Sequence, residues 1–343
     1  MDFGLDEAQQ AVADLAASVL RGVPDDARVR AALASAGGYD EAAWKAMGQA
    51  GLLGLAIPEA LGGDGLGPLP VGLVLAEVGR QVLPLPALAT LALGVLPLVR
   101  HGTVEQHELL GDVANGALLT GALRDAPGAG VRVAGGVLTG VRIGVPYAEQ
   151  ARRILVPTAA GTAVVDAATV GVALQRTSTS TGAPEYTVRL DAVRPESMVD
   201  ASAADLDRFA VAGAAAVADG VLAGALALTA EHLRTRQQFG RPLATFQAVA
   251  QQVADVYIAA RTVHLAATSA AWRLDAGLPA DEDLAVAAYC LAAEVPNALQ
   301  VCHHLHGGLG VDITYPLHRY YSHAKDLARF VGGTAYRLDR LGA

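Results

Sequence analysis

Two long apolar segments, joined by a short stretch punctuated by glycine and proline, constrain this chain more than any other feature. From Asp205 to Arg236 there is no proline, and Ala, Leu and Val recur throughout. That predicts one long buried helix with Asp205 as its N-cap. Phe239-Gly240-Arg241-Pro242 ends it, because glycine frees the backbone and proline removes a donor and biases its predecessor away from helix. A second helix is expected from about Phe246 to Trp272. The two run antiparallel and enclose a polar, cationic corner of Arg234, Arg236, Gln237, Gln238, Arg241 and Gln247. By residue type alone, this corner is either a solvated turn between helices or a functional site.

The 343 residues suffice for two or three domains. Hydrophobic residues make up 52% of them but aromatics only 5%, so the core is built from Ala, Leu and Val and favours closely approaching helices. A net charge of -9 argues against nucleic acid as a partner, since neutralising phosphates needs a basic face. Cys290 and Cys302 lie in apolar helical context, where buried free thiols are expected, together with a reducing, cytoplasmic setting. The N-terminal residues show no basic stretch followed by an apolar run, so no signal peptide is expected. Phe209 to Ala230 is long enough to cross a bilayer, but its Ala and Gly content and the central Asp219 favour a buried bundle helix over a membrane span.

Along the chain, residues 1–116 read as a helical domain. One helix is expected from Asp6 to Leu20 with Ala11, Leu15 and Val19 on its inner face, and another from Tyr39 to Gly51 through Trp44 and Met47. Leu52 to Gly65 is turn-rich. Helices resume over 70–82 and 86–100, and a further one runs from Gly102 to about Asn115. The period then shortens: residues 117–200 hold β-branched runs separated by glycine turns, which predicts a small β-domain of hairpins. Residues 201–343 return to helix, with another long segment from about Leu284 to His304. The fold class is therefore multi-domain α+β: an N-terminal helical domain, a middle β-domain and a C-terminal four-helix bundle.

Arg236-Gln-Gln-Phe-Gly-Arg-Pro-Leu243, followed by Phe246-Gln247, resembles a signature of the acyl-CoA dehydrogenase family. Pro58-Glu-Ala-Leu-Gly-Gly-Asp-Gly65, His306-Gly-Gly-Leu-Gly310, Arg319-Tyr-Tyr321 and Gly333-Thr334 resemble further family segments, in the family's order and over nearly the whole chain. The resemblance implies FAD as cofactor, shared at a subunit interface. It implies cofactor contacts from Arg236, Phe239, Gln247, Gly307, Gly308 and Thr334, and from His304, which stands where the family has Gln. Chemically this is sensible: a pyrophosphate suits a bidentate guanidinium, and a phenylalanine offers a flat apolar face to a cofactor ring. His303, His304 and His306 lack the spacing and companions of a metal site, so none is expected.

The chain departs from the family where the chemistry sits. The family's Glu base, which removes the α-proton of an acyl thioester, falls on Gly332 counted from Gly333-Thr334 and on Val331 counted from Tyr320-Tyr321; the base position that some members use on the long helix falls on Ala210. None can take a proton, and general-base catalysis is worth about 10²–10⁴ in rate. The segments resembling those along the flavin, Leu119 to Pro127 and Arg142 to Tyr147, keep few of the family's residues. Together these imply no catalytic residue in this chain. The resemblance is greatest to the smaller, base-lacking subunit of heterotetrameric acyl-CoA dehydrogenases of actinobacterial steroid breakdown, with a catalytic paralogue as partner, an α2β2 assembly and an acyl-CoA substrate. A homomeric dehydrogenase with a relocated base and a non-catalytic scaffold remain the alternatives.

Overall fold

In a computed structural model describing residues 4–21 and 25–342, three regions follow one another: helical, β, helical. The first holds α1 (Glu7–Val19), α2 (Asp26–Ala34), α3 (Glu41–Gln49), α4 (Pro68–Gln81), a π-helical stretch Leu88–Val95 running into α5 (Leu96–His101), and the short α6 (Val104–His107). Asp6 starts α1 with a capping box to Gln9. Its inner face is Val12, Ala16 and Leu20, whereas Leu15 is 41% exposed and Ala11 is also exposed. The expected inner face was thus the neighbouring row. Two adjacent rows of apolar residues fit a 3.6-residue period equally well, and the partner decides which is buried.

Trp44 and Met47 are buried as expected, and the Trp44 indole donates to the Gly116 carbonyl at 2.9 Å, tying α3 to the entry of the β region. The helix expected from Gly102 to Asn115 stops at His107. Beyond it Gly111, Val113 and Gly116 donate to carbonyls three residues back, so the chain tightens into successive turns around the buried Leu110 and Val113.

The β region is two sheets. One has the order β1 (Leu118–Gly121), β5 (Ala151–Thr158), β6 (Gly161–Val165), β9 (Ser197–Val199), with β1 parallel to β5 and the other pairs antiparallel. The other has the order β2 (Arg124–Asp125), β4 (Val137–Pro146), β8 (Glu185–Val193), β7 (Val172–Thr177), all antiparallel, and β3 (Arg132–Ala134) forms a hairpin with β4. Leu138, Val145, Ile154, Val156, Val188 and Leu190 fill the space between them.

α7 (Ala203–Thr235) begins three residues before the expected start. Ser202 caps it, and Asp205 closes a capping box from the third helical position. Both residues are good caps; the pair uses both. After it come β10 (Gln237–Gln238), β11 (Arg241–Pro242), α8 (Gln247–Asp275), α9 (Asp281–His306), α10 (Leu317–Phe330) and α11 (Gly333–Leu341). α7 packs on α4, α8, α9 and α10 at the centre of the molecule. Its close fit to α4 needs glycine: a Cβ on Gly220 would run into the Ala76 carbonyl, and one on Gly79 into that of Val217. α7 and the stretch Asp281–Val311 are long and apolar enough to cross a membrane, but 72% of the most apolar window of α7 is buried inside the protein. Cys290 and Cys302 are buried free thiols, and burial raises both pKa values.

Candidate cofactor corner and internal cavity

The α7–α8 corner is built by a two-residue hairpin. β10 pairs antiparallel with β11, and Phe239 and Gly240 make the turn with φ of 54° and 79°. Phenylalanine takes that conformation only at a cost. The turn holds the Phe239 ring 92% exposed, edge-on to Phe246 at 6.2 Å. The cations of the corner are unequal. Arg241 lies over the Phe246 ring at 4.1 Å and Arg234 pairs with Glu231 at 2.6 Å. The exposed Arg236 side chain, by contrast, has no hydrogen-bond or ion-pair partner among the described residues. Gln247 is exposed at the first position of α8, a 29-residue helix that starts without a side-chain cap. Its first amide N–H groups are thus open to an anion, with the helix dipole behind them.

The end of α9 is held against the end of α7 by two histidines. His306 is buried; its Nδ1 lies 2.8 Å from the Cys302 carbonyl and its Nε2 3.2 Å from the Tyr315 hydroxyl. The carbonyl can only accept, so Nδ1 carries the proton and Nε2 accepts from Tyr315. The His306 ring stacks on His232, in the last turn of α7, with centroids 4.4 Å apart. Burial lowers both pKa values, and the Arg236 charge lowers that of His232 further.

This contact sets the end of α9, where His304, Gly307 and Gly308 are exposed, beside the end of α7, four residues before Arg236. Gly307 ends α9 with a φ of 58°. Thr334 is elsewhere. Its hydroxyl donates to the Ala292 carbonyl at 3.1 Å, more than three turns before His304, or about 18 Å along α9.

The three positions that correspond to the family's base are closed. Val331 is fully buried, and its carbonyl accepts from Arg337 Nε at 2.5 Å. Gly332 has a φ of 96°, and a Cβ there would lie 2.5 Å from Cδ1 of Tyr336. Ala210 is buried in α7. Arg142, first residue of the segment expected over the flavin, turns into the β region instead. It is 4% exposed, donates to the carbonyls of Leu123 and Pro157, and pairs with Asp125 at 2.8 Å.

A cavity of about 380 Å³ opens between α2, the segment after α4, the end of β4, the loop before β8 and α10. Val78, Leu85, Leu88, Leu327 and Phe330 give it apolar walls. Its three carboxylates are all engaged. Asp26 pairs with Arg30, and Glu185 with Arg329 at 2.6 Å; Asp326 accepts from the Ser180 and Thr181 amides at 2.9 Å and from the Thr181 hydroxyl. Arg319 and His323 also face it. Burial pushes the His323 pKa down to about 4, so the ring is neutral at pH 7. No local pattern in the sequence signals this cavity, because its walls come from five separate segments. Among the described residues, no group of three or more His, Cys, Asp or Glu could hold a metal ion.

A helical region, a two-sheet β region and a helical bundle in this order are the fold of acyl-CoA dehydrogenases. Residues 6–117 match the family's N-terminal domain and residues 199–341 its C-terminal domain. The chain belongs to the acyl-CoA dehydrogenase family of flavoprotein oxidoreductases. It is 45% identical to acyl-CoA dehydrogenase FadE28 of Mycobacterium tuberculosis, covering 100% of this chain and 98% of that protein. Among solved structures it resembles a steroid ACAD variant, Tcur3481-Tcur3483, at a TM-score of 0.91 and 36% identity over 98% of this chain and 97% of that one. It resembles the ChsE4-ChsE5 complex of M. tuberculosis at a TM-score of 0.91 and 34% identity, over 100% of this chain and 98% of that one.

Proposed function

We propose that this chain is the subunit of an FAD-dependent acyl-CoA dehydrogenase that completes the cofactor site of a catalytic paralogue and supplies no base of its own. The observation that carries this reading is the corner at Arg236. It is a guanidinium with no hydrogen-bond or ion-pair partner among the described residues, beside an exposed, strained Phe239 and at the mouth of a helix without a side-chain cap. Those groups fit a diphosphate and an aromatic ring presented from outside the chain. In that assembly Arg236 and Gln247 bind the cofactor's phosphates, Phe239 covers apolar surface, and the His232–His306 stack holds His304, Gly307 and Gly308 alongside.

FAD, when bound, supplies the acceptor for the hydride that leaves the β-carbon of an acyl-CoA thioester. This chain's part is to bind and orient it. Val331, Gly332 and Ala210 offer nothing to hold the α-proton, and the carboxylates of the internal cavity are all engaged. The proton is therefore taken by the paralogue. Two of the relatives are solved as two-component proteins, which supports a paired assembly and, for one described as a steroid ACAD, a steroid-derived acyl group. The assembly is cytoplasmic, with α2β2 stoichiometry.

Co-expression with candidate paralogues, followed by native mass and flavin content of the purified complex, tests this reading. A heteromer with dehydrogenase activity is expected, while the chain purified alone turns over acyl-CoA at least about 10²-fold more slowly. Turnover by the isolated chain at the rate of the heteromer would refute it.

A further inference from the structure

His232 stands one helical turn before Arg236, whose amide N–H donates to the His232 carbonyl at 2.8 Å. Its ring lies on that of His306, centroids 4.4 Å apart, and the residue is only half-buried. Neither ring nitrogen of His232 has a hydrogen-bond partner among the described residues. His306 differs, because the Cys302 carbonyl and the Tyr315 hydroxyl engage both of its nitrogens. A proton arriving at the stack therefore goes to His232.

The charges that face His232 oppose that proton. On α7, Arg236 acts on it directly, while Arg234 and Glu231 pair with each other at 2.6 Å. From α9 it meets His306, whose own neighbours are His303, Tyr315 and, through His303, His318 of α10. α10 approaches α7 through Tyr320 at Gly224, and α8 through His264 at Asp219, about two and more than three turns away. The turn Leu243–Thr245 against the end of α7 carries no charge. Of all these, the one carboxylate near the ring is Glu231, and Arg234 occupies it.

We propose that His232 is a proton-linked member of the cofactor corner, neutral in the free chain and taking up a proton when Arg236 and Gln247 bind the cofactor's diphosphate. This deepens the function proposed above and rests on it. An anion held by Arg236 cancels the charge that keeps the ring neutral and adds its own attraction. An opposite charge within about 4–6 Å strengthens proton binding on the order of tenfold or more. The proton comes from solvent to an open ring nitrogen, and the charged ring then lies on the neutral face of His306, so no like charges meet. A group that binds its proton more tightly in the complex makes the complex tighter as pH falls. The chain thus holds FAD more firmly on the acid side of neutrality and releases one proton as the cofactor leaves.

Calorimetric titration of the flavin-depleted heteromer with FAD, at about pH 8 and about pH 6 and in buffers of different ionisation enthalpy, tests the coupling. The diphosphate keeps its full charge over that range. Binding about threefold or more tighter at the lower pH is expected, with proton uptake on binding. His232→Phe keeps a flat ring for the stack but cannot take a proton, and it should lose both the gain and the uptake. Affinity equal or weaker at the lower pH, no proton uptake, or the same uptake in His232→Phe would each overturn the coupling. Where His232→Phe does not assemble, His232→Gln provides the same comparison. Arg236→Ala, read at the higher pH where His232 is neutral, separates the two readings. Weakened FAD binding there, with no proton uptake in the unsubstituted heteromer, sinks the coupling alone, whereas undiminished binding there sinks the corner itself.

Discussion

His232 and His306 lie flat on one another, centroids 4.4 Å apart and planes 18° from parallel, and through them the last turn of α7 is joined to the last turn of α9. Both rings are neutral at pH 7, because burial lowers both pKa values. Protonating both would place like charges face to face in a half-buried contact.

Stability should therefore fall on acidification. His232 and His306 have folded pKa values below 6.5, and that of His323 is about 4. The unfolded chain thus binds more protons than the folded one from about pH 6.5 downward, and the stability these residues give above that window is lost as pH falls through it. Thermal denaturation from pH 7.5 to 4.5 should show a falling Tm. His323→Gln should flatten the profile by an amount on the order of 2 kcal/mol. A Tm independent of pH, or rising in acid, would contradict this assignment.

The α4–α7 contact sets a second expectation. A Cβ on Gly220 meets the Ala76 carbonyl, which is backbone and cannot turn aside. Gly220→Ala should destabilise by about 1–3 kcal/mol despite the better helix propensity of alanine. Denaturant unfolding of the full chain measures it, and a gain in stability would show that the two helices can move apart freely.

Restoring a carboxylate at Gly332 should not restore a base. The φ of 96° and the Tyr336 ring 2.5 Å from the new Cβ make Gly332→Glu strained, at a cost of about 1–3 kcal/mol. A lower Tm with no dehydrogenase activity in the isolated chain is expected. Activity without loss of stability would mean that Tyr336 yields and the pocket is still formed.

Much of this architecture is legible in the residue pattern, and its failures have physical causes. The change from helical to alternating period marks the β region, and Phe239 to Pro242 mark the corner, because turn chemistry is local. Ser202 and Asp205 show why a boundary drifts: both are cap residues, and only the structure reveals that one caps the helix while the other completes the box. The turns after His107 follow from burying Leu110 and Val113, a tertiary demand with no local sign. Arg236 is recognisable from its motif, but its exposure and lack of a partner are not. The cavity beside α10 is not legible either, because its form depends on where Asp26, Glu185 and Asp326 find their partners, which no sequence spacing contains.

The most direct measurement is flavin retention by the heteromer carrying Arg236→Ala. That side chain has no hydrogen-bond or ion-pair partner among the described residues, so folding and assembly should be unaffected. Losing one charge-assisted contact to the cofactor's phosphates should weaken FAD binding about tenfold or more. After dilution and gel filtration, the substituted complex should elute at full mass with depleted flavin and recover activity when FAD is added back. Full flavin occupancy and full activity after dilution would contradict the proposal and leave the corner a solvent-exposed turn.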